Sequence, residues 1–212
     1  TNKILNEMKK IHEKDKNEYI KFWESFGAVI KEGLYENNEY HDKLLDLLIL
    51  KSSKEKSWST LEEYINKAPK NQKEIYYYAN NDQSYEDAIN SPQLEKFIEK
   101  NIPVLLMTDA VDEFWLNNIT KYKDKEFKSI TKGSIDLNDK DEKKDKINST
   151  PKEIKELINL LKNELKDQIK DVRLSNRLTK SPLILVADED GIDINMEKIM
   201  KMQNRNLENN KK

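Results

Sequence analysis

The chain has 212 residues, of which 38 are basic and 40 acidic, for a net charge of −2 at neutral pH. Charged residues make up 37% and hydrophobic residues 36%, so cores are expected to be small and set apart by charged surface. The charge balance excludes a broadly basic nucleic-acid binder. The absence of cysteine excludes a disulfide scaffold, a zinc knuckle and a thiol nucleophile. No apolar run approaches the ~18 residues of a membrane span, so neither nucleic acid nor membrane is an expected partner. The chain opens on Thr1, directly into a helical pattern, and reads as a fragment of a longer protein.

The first fifty residues read as three helices. Ile4, Leu5, Met8 and Ile11 form one stripe. Tyr19, Phe22, Trp23, Phe26 and Ile30 form a second, with Gly33 as a plausible stop. Tyr40, Leu44, Leu45, Leu47, Leu48 and Ile49 form the third. Ser59 and Glu62 have capping-box spacing for a short helix through Ile65, which Pro69 ends. Glu74 to Ala79 is aromatic and strand-like, and Tyr85 to Ile89 a helical turn. Ser91-Pro92 places a cap and a first-turn proline before a helix from Gln93 to Lys100. Ile102 to Met107 is a continuous apolar run, as in a strand buried on both faces. Asp109 then leads into a helix from Val111 to Ile119, and Glu126 to Thr131 is a further strand.

This alternation predicts an α/β fold (α+β overall): a helical segment over 1–55, then a small αβα sandwich with a mostly parallel sheet over 56–132. Residues 133–150 are almost entirely polar and read as a charged linker. A mixed α/β segment over 151–212 follows. Thr150 and Pro151 start a helix striped by Ile154, Leu157, Ile158, Leu161 and Leu165. Lys170 to Leu174 and Leu183 to Ala187 read as strands, and Asp188 to Gly191 as a turn. A last helix from Asp193 to about Asn204 carries Ile192, Met196, Ile199 and Met200 on one side.

Two kinds of chemistry compete for these residues. Asp109, Asp112 and Glu113 follow the most buried strand, where ligands bind in open α/β sheets, and three carboxylates there could hold Mg²⁺ in a small metal-dependent hydrolase. The alternative is structural: Asp109 as helix cap and the acids as partners of the helix dipole. The four glycines (Gly27, Gly33, Gly133 and Gly191) are too scattered for a phosphate loop, and His12 and His41 fall on polar stretches expected to be solvated. The second chemistry is binding. Phe114 and Trp115 are adjacent on a helix, so their side chains point ~100° apart: either one faces solvent or a partner, or both are partly buried between layers. The Met196, Ile199 and Met200 stripe suits an adaptable apolar surface, or an ordinary core face.

Five blocks in order resemble the heat-shock-protein-90 chaperone family. They are FWESFGAVIKEGLYE from Phe22, STLEEYINKAPKNQKEIYY from Ser59, NSPQLEKFIEKNIPVLLMTDAVDEFW from Asn90, VRLSNRLTKSPLILVADEDG from Val172 and NMEKIMKMQ from Asn195. The resemblance implies a fragment running from the helical part of the middle domain, through its small αβα subdomain, into the start of the carboxy-terminal domain. It implies an ATP-dependent chaperone that binds unfolded or partly folded client proteins and forms a homodimer. The ATP- and Mg²⁺-binding domain would lie outside this chain, which would itself hold no cofactor and do no catalysis. It implies an intracellular protein, cytoplasmic if bacterial and mitochondrial or plastid if eukaryotic. Two client surfaces carry over by position: Glu113, Phe114, Trp115 and Asn117, and Ile192, Met196, Ile199 and Met200. Trp115 departs from the pattern, in which bacterial members have an aromatic at the Phe114 position and Met next to it.

Overall fold

The amphipathic stripes of the first fifty residues fold back on one another. In the computed structural model, which describes residues 2–36, 38–81, 84–135, 137 and 151–209, α1 (Asn2–Lys14) and α2 (Lys16–Glu36) are joined at Asp15. The Asp15 carboxylate accepts from the backbone N–H of Asn17 and Glu18 and so starts α2. Gly33 does not stop this helix. It lies inside α2, where a Cβ would come within 3.1 Å of Leu44 Cδ1, so its role is close packing.

The third helix is shorter than expected. α3 (His41–Leu47) ends where Leu48 turns extended, and Ile49–Ser52 become strand β1. Leu44 to Leu50 is apolar at nearly every position, so periodicity alone cannot separate helix from strand there. Strand pairing decides: Ile49 lies opposite Thr60, and Lys51 opposite Leu106. Ser59 is likewise taken into a strand, β2 (Ser59–Thr60), and its hydroxyl donates to the Leu50 carbonyl. The capping box therefore forms one residue later than the sequence suggests. Thr60 accepts from Glu63 N–H at 3.1 Å, Glu63 accepts from Thr60 N–H at 2.9 Å, and α4 (Leu61–Lys67) follows.

β3 (Glu74–Ala79) and β4 (Leu105–Met107) are the centre of a six-stranded sheet in the order β2-β1-β4-β3-β6-β5, with β5 (Lys121–Tyr122) and β6 (Lys125–Ser129) at the far edge. Only β3–β4 and β3–β6 are parallel. The other three pairings are antiparallel, so the sheet is mixed rather than mostly parallel. Parallel neighbours need long crossovers. α5 (Tyr85–Ile89), a 3₁₀ turn at Pro92–Leu94 and α6 (Glu95–Glu99) supply one, and α7 (Asp112–Asn118) leads to the β5–β6 hairpin.

Alternation along the central strands builds two cores. Ile75, Ala79, Leu105 and Met107 face α1–α4 and α7, whereas Tyr76, Tyr78, Val104 and Leu106 face α5 and α6. The first core runs from Leu5 to Tyr122 without a break, so the division expected near residue 55 falls inside one packed unit. The histidines are less solvated than expected. His12 stacks edge-on against Tyr19 with 4.9 Å between ring centroids, and burial, followed by nearby Lys16, lowers its pKa.

The expected linker lies mostly outside the described residues, as does the expected cap at Thr150. α8 (Lys152–Glu164) starts after Pro151 and buries none of its residues. The two strands expected at 170–174 and 183–187 do not form: apart from one bridge between Lys132 and Ala187, this stretch is irregular. Leu174, Leu183 and Leu185, which suggested these strands, are exposed. α9 (Ile194–Asn209) closes the described chain.

Candidate functional site

α7 follows β4 through the turn Thr108–Val111, and its first acid points inward. Asp112 is fully buried and meets the Lys31 ammonium of α2 at 2.9 Å. It also accepts from Trp115 Nε1–H at 2.9 Å and from Asp109 N–H at 3.1 Å. Lys31, itself 2% exposed, reaches Asp109 at 2.8 Å. Burial alone would lower the Lys31 pKa, but Asp112 and Asp109 outweigh it and hold the ammonium above the usual lysine range. This arrangement removes the metal-dependent hydrolase reading. The place between Asp109 and Asp112 is filled by a fixed cation, and no group of metal-ligating side chains occurs among the described residues. Asp109 is not a side-chain cap either, since α7 starts without one.

The two neighbouring rings separate as helix geometry requires. Trp115 is fully buried and packs edge-on against Phe127 at 5.6 Å. Phe114 is half-buried and meets exposed Tyr35 edge-on at 6.0 Å. Of the expected contact residues, Trp115 thus belongs to the core and Phe114 to the surface. Asn117 is exposed, with its amide donating to the Glu113 carbonyl at 2.7 Å.

Glu113 is not on the surface. It is 5% exposed and accepts from the Asn195 side-chain amide of α9 at 2.7 Å. This bond brings together the two segments that the sequence nominated separately. Asn195 also donates to Asn81. Next to it, Asp193 accepts from Ser129 Oγ at 2.5 Å and Thr131 Oγ1 at 2.8 Å, which fixes the start of α9 against the end of β6. Beyond this anchor Met196 and Ile199 are half-buried, while Ile192 is 54% and Met200 45% exposed.

Further polar bonds hold the irregular segment before α9 onto the sheet unit. Glu95 of α6 accepts from the backbone N–H of Thr179 at 2.7 Å, Lys180 at 2.8 Å and Ser181 at 3.0 Å, and from the Ser181 hydroxyl. The Lys180 N–H, then the Ser181 hydroxyl and the remaining N–H groups, pull its carboxyl down to about 2. Arg177 is buried and donates to the carbonyls of Ile130 at 2.7 Å and Gly133 at 2.5 Å. Gly133 adopts φ +61°, and a Cβ there would meet the Glu189 carboxylate at 2.7 Å. Lys31, Asn195, Glu95 and Arg177 were not nominated from sequence. Their partners lie far along the chain, and the family blocks that contain all four positions gave none of them a role.

Burial pushes the Glu113 carboxyl from 4.5 up to about 7; the Asn195 hydrogen bond opposes this, and Asp193 and Asp112 add to it. A carboxyl raised in the folded state stabilises the fold fully below its unfolded pKa, and that contribution is lost as pH rises through the folded value. Glu113→Gln keeps an acceptor for Asn195 and cannot ionise. It should therefore match the parent near pH 4 and exceed it by about 1–3 kcal/mol at pH 8. Urea midpoints across that range measure this, and a parent advantage that grows with pH would refute it.

The sequence profile of the family described as Hsp90 protein matches residues 1–212. The chain belongs to the Hsp90 family. It is 42% identical over 206 residues to the chaperone protein HtpG of Roseobacter denitrificans, covering 95% of this chain and 33% of that one. It is 42% identical over 205 residues to HtpG of Francisella tularensis subsp. holarctica, covering 94% of this chain and 32% of the relative. The chain thus spans about a third of the length of these relatives. Among solved structures, the middle domain of a Plasmodium falciparum heat shock protein matches with a TM-score of 0.56 and 31% identity, covering 62% of this chain and 55% of that one. The Hsp90 fold thus accounts for the mixed sheet and the helices around it. Of the two adjacent rings, Phe114 is the outward one and Trp115 fills the core.

Proposed function

We propose that this chain is the part of an ATP-dependent Hsp90 chaperone that holds unfolded or partly folded client proteins and couples the nucleotide domain to the dimerisation domain. The observation that carries this reading is the apolar face of α9. Met200 is exposed beside half-buried Met196 and Ile199 on this helix, exposed Ile192 lies two residues before it, and its first turn is anchored to α7 by Asn195. Phe114 and Asn117 on α7 complete the client surface. Glu113 and Trp115 support it from beneath: the carboxylate binds Asn195, and the ring fixes the helix face. In this reading residues 1–132 are middle domain and 151–212 the start of the carboxy-terminal domain, with the charged segment 133–150 between them. The names of the relatives support a chaperone, and their bacterial origin supports a cytoplasmic protein over an organellar one.

ATP and Mg²⁺ are assigned to the remainder of the longer protein. The residues here do not suit them: the four glycines are dispersed, and Asp109 and Asp112 already hold Lys31. A single client patch is weak. Burying ~200 Å² of apolar surface gives only ~5 kcal/mol before association losses. Two patches in each subunit of a homodimer would raise affinity through effective concentration.

The test is a titration of methionine-methyl NMR signals with a permanently unfolded protein. Saturable shifts at Met196 and Met200, with Met8 and Met107 unmoved, are the expected result. Met196→Ser combined with Met200→Ser should weaken binding of a fluorescently labelled unfolded protein, read by anisotropy, while changing stability by less than about 1 kcal/mol. Unfolding of the double variant would make the stripe a core face and end the client assignment on α9.

A further inference from the structure

Oxidants find few reactive side chains in this protein. The chain has no cysteine, so the thioether of methionine is the most oxidisable group it offers. It has five methionines. Met8 and Met107 are core residues, 4% and 1% exposed. The other three all lie on α9: Met196 is half-buried, Met200 is 45% exposed and Met202 49% exposed. The fold therefore shields both methionines of the sheet unit and presents sulfur to solvent on a single helix.

We propose that α9 is a methionine-oxidation site, at which a peroxide converts Met200 first and Met196 after it to the sulfoxide, turning the apolar face of the helix polar. The step balances without another reactant. The sulfur gives an electron pair to one peroxide oxygen, the O–O bond breaks, an S=O bond forms and water leaves. A thiol-dependent methionine sulfoxide reductase reverses it, returning the thioether and water while two thiols become a disulfide. The placement gives the change its consequence. Met196 and Met200 are four residues apart, about 40° around the helix, and flank the same face as Ile199. Met202 is about 160° from Met200 and 120° from Met196, at the edge of that face beyond Ile199. Sulfoxide at Met200 adds a strong acceptor next to Met196 on a surface that Ile192 and Ile199 keep apolar, whereas sulfoxide at Met202 adds one only at the edge of that surface. The loss of client affinity rests on the client-holding reading above, but the order of oxidation does not.

The experiment treats the whole chain with limiting hydrogen peroxide and follows each methionine by peptide mass spectrometry. Met200 and Met202 should oxidise first and Met196 next. Met8 and Met107 should lag by about tenfold or more, as buried sulfur requires. Comparable rates at all five positions would overturn the site. The oxidised chain is then titrated with the permanently unfolded protein, expecting about fivefold weaker binding that returns after reductase treatment. Met202→Leu, at the edge of the face, should lose most of its binding on oxidation, as the parent does. If that substitution instead protects binding, or if oxidised and reduced chains bind alike, the switch on the Met196–Met200 face is wrong. If the untreated chain binds no client, the client reading and the switch fail together, while the mass spectra still decide the site.

Discussion

Lys31→Met should destabilise the fold by about 3–5 kcal/mol, the loss seen when one partner of a buried ion pair is removed. The ammonium is 2% exposed and is the cation beside Asp112, which has no exposure to water. Methionine fills a similar volume, so the effect reports charge rather than a cavity. It leaves a carboxylate inside the first core with only the Trp115 and Asp109 N–H groups to stabilise it. Asp112→Asn in the same chain should recover part of the loss, since the uncompensated charge disappears. Urea unfolding of the four chains of this cycle measures the coupling. A loss below about 1 kcal/mol for Lys31→Met would mean that water reaches Asp112 and that the pair is a surface one.

Trp115→Ala should cost a further large amount, about 3–5 kcal/mol, whereas Phe114→Ala should cost about 1 kcal/mol or less. Trp115 has no exposure, packs against Phe127, and donates its Nε1–H to Asp112. Its removal opens a cavity and strips a donor from the same buried carboxylate. Phe114 is half-buried and has Tyr35, itself 54% exposed, as its ring neighbour. The contrast is sharp because the two residues are adjacent. Phe114→Ala should weaken client binding with the fold intact, and Trp115→Ala should lose both together. Equal destabilisation by the two substitutions would put both rings in the core and remove α7 from the client surface.

Much of the local structure was legible along the chain. The helical stripes of α1, α2 and α8, the aromatic strand β3, the Ser91-Pro92 start and the buried β4 follow from periodicity and caps that act over a few residues. The errors occur where two local signals overlap. Ser59 and Thr60 each had a glutamate three residues on, and pairing of Ser59 with Leu50 gave the cap to Thr60. The apolar run from Leu44 to Leu50 suited either a helix or a strand, and β2 and β4 settled it from outside.

The sequence by itself determined that the Phe114 and Trp115 side chains diverge by ~100°, because consecutive helical residues do so whatever surrounds them, and left open whether one or both are buried. It also determined the family, through blocks spread over the whole chain. It could not determine which ring is inside, because periodicity sets relative angles on a helix and not the direction of the core. That direction came from α2 and β6 closing over Trp115. The same limit applies to the acids. Asp109, Asp112 and Glu113 look alike in sequence, yet Lys31 reaches the first two from 78 and 81 residues away, and Asn195 reaches Glu113 across 82. A carboxylate's role depends on which donor the fold brings within hydrogen-bond distance, and contacts over such separations exist only once the chain has folded.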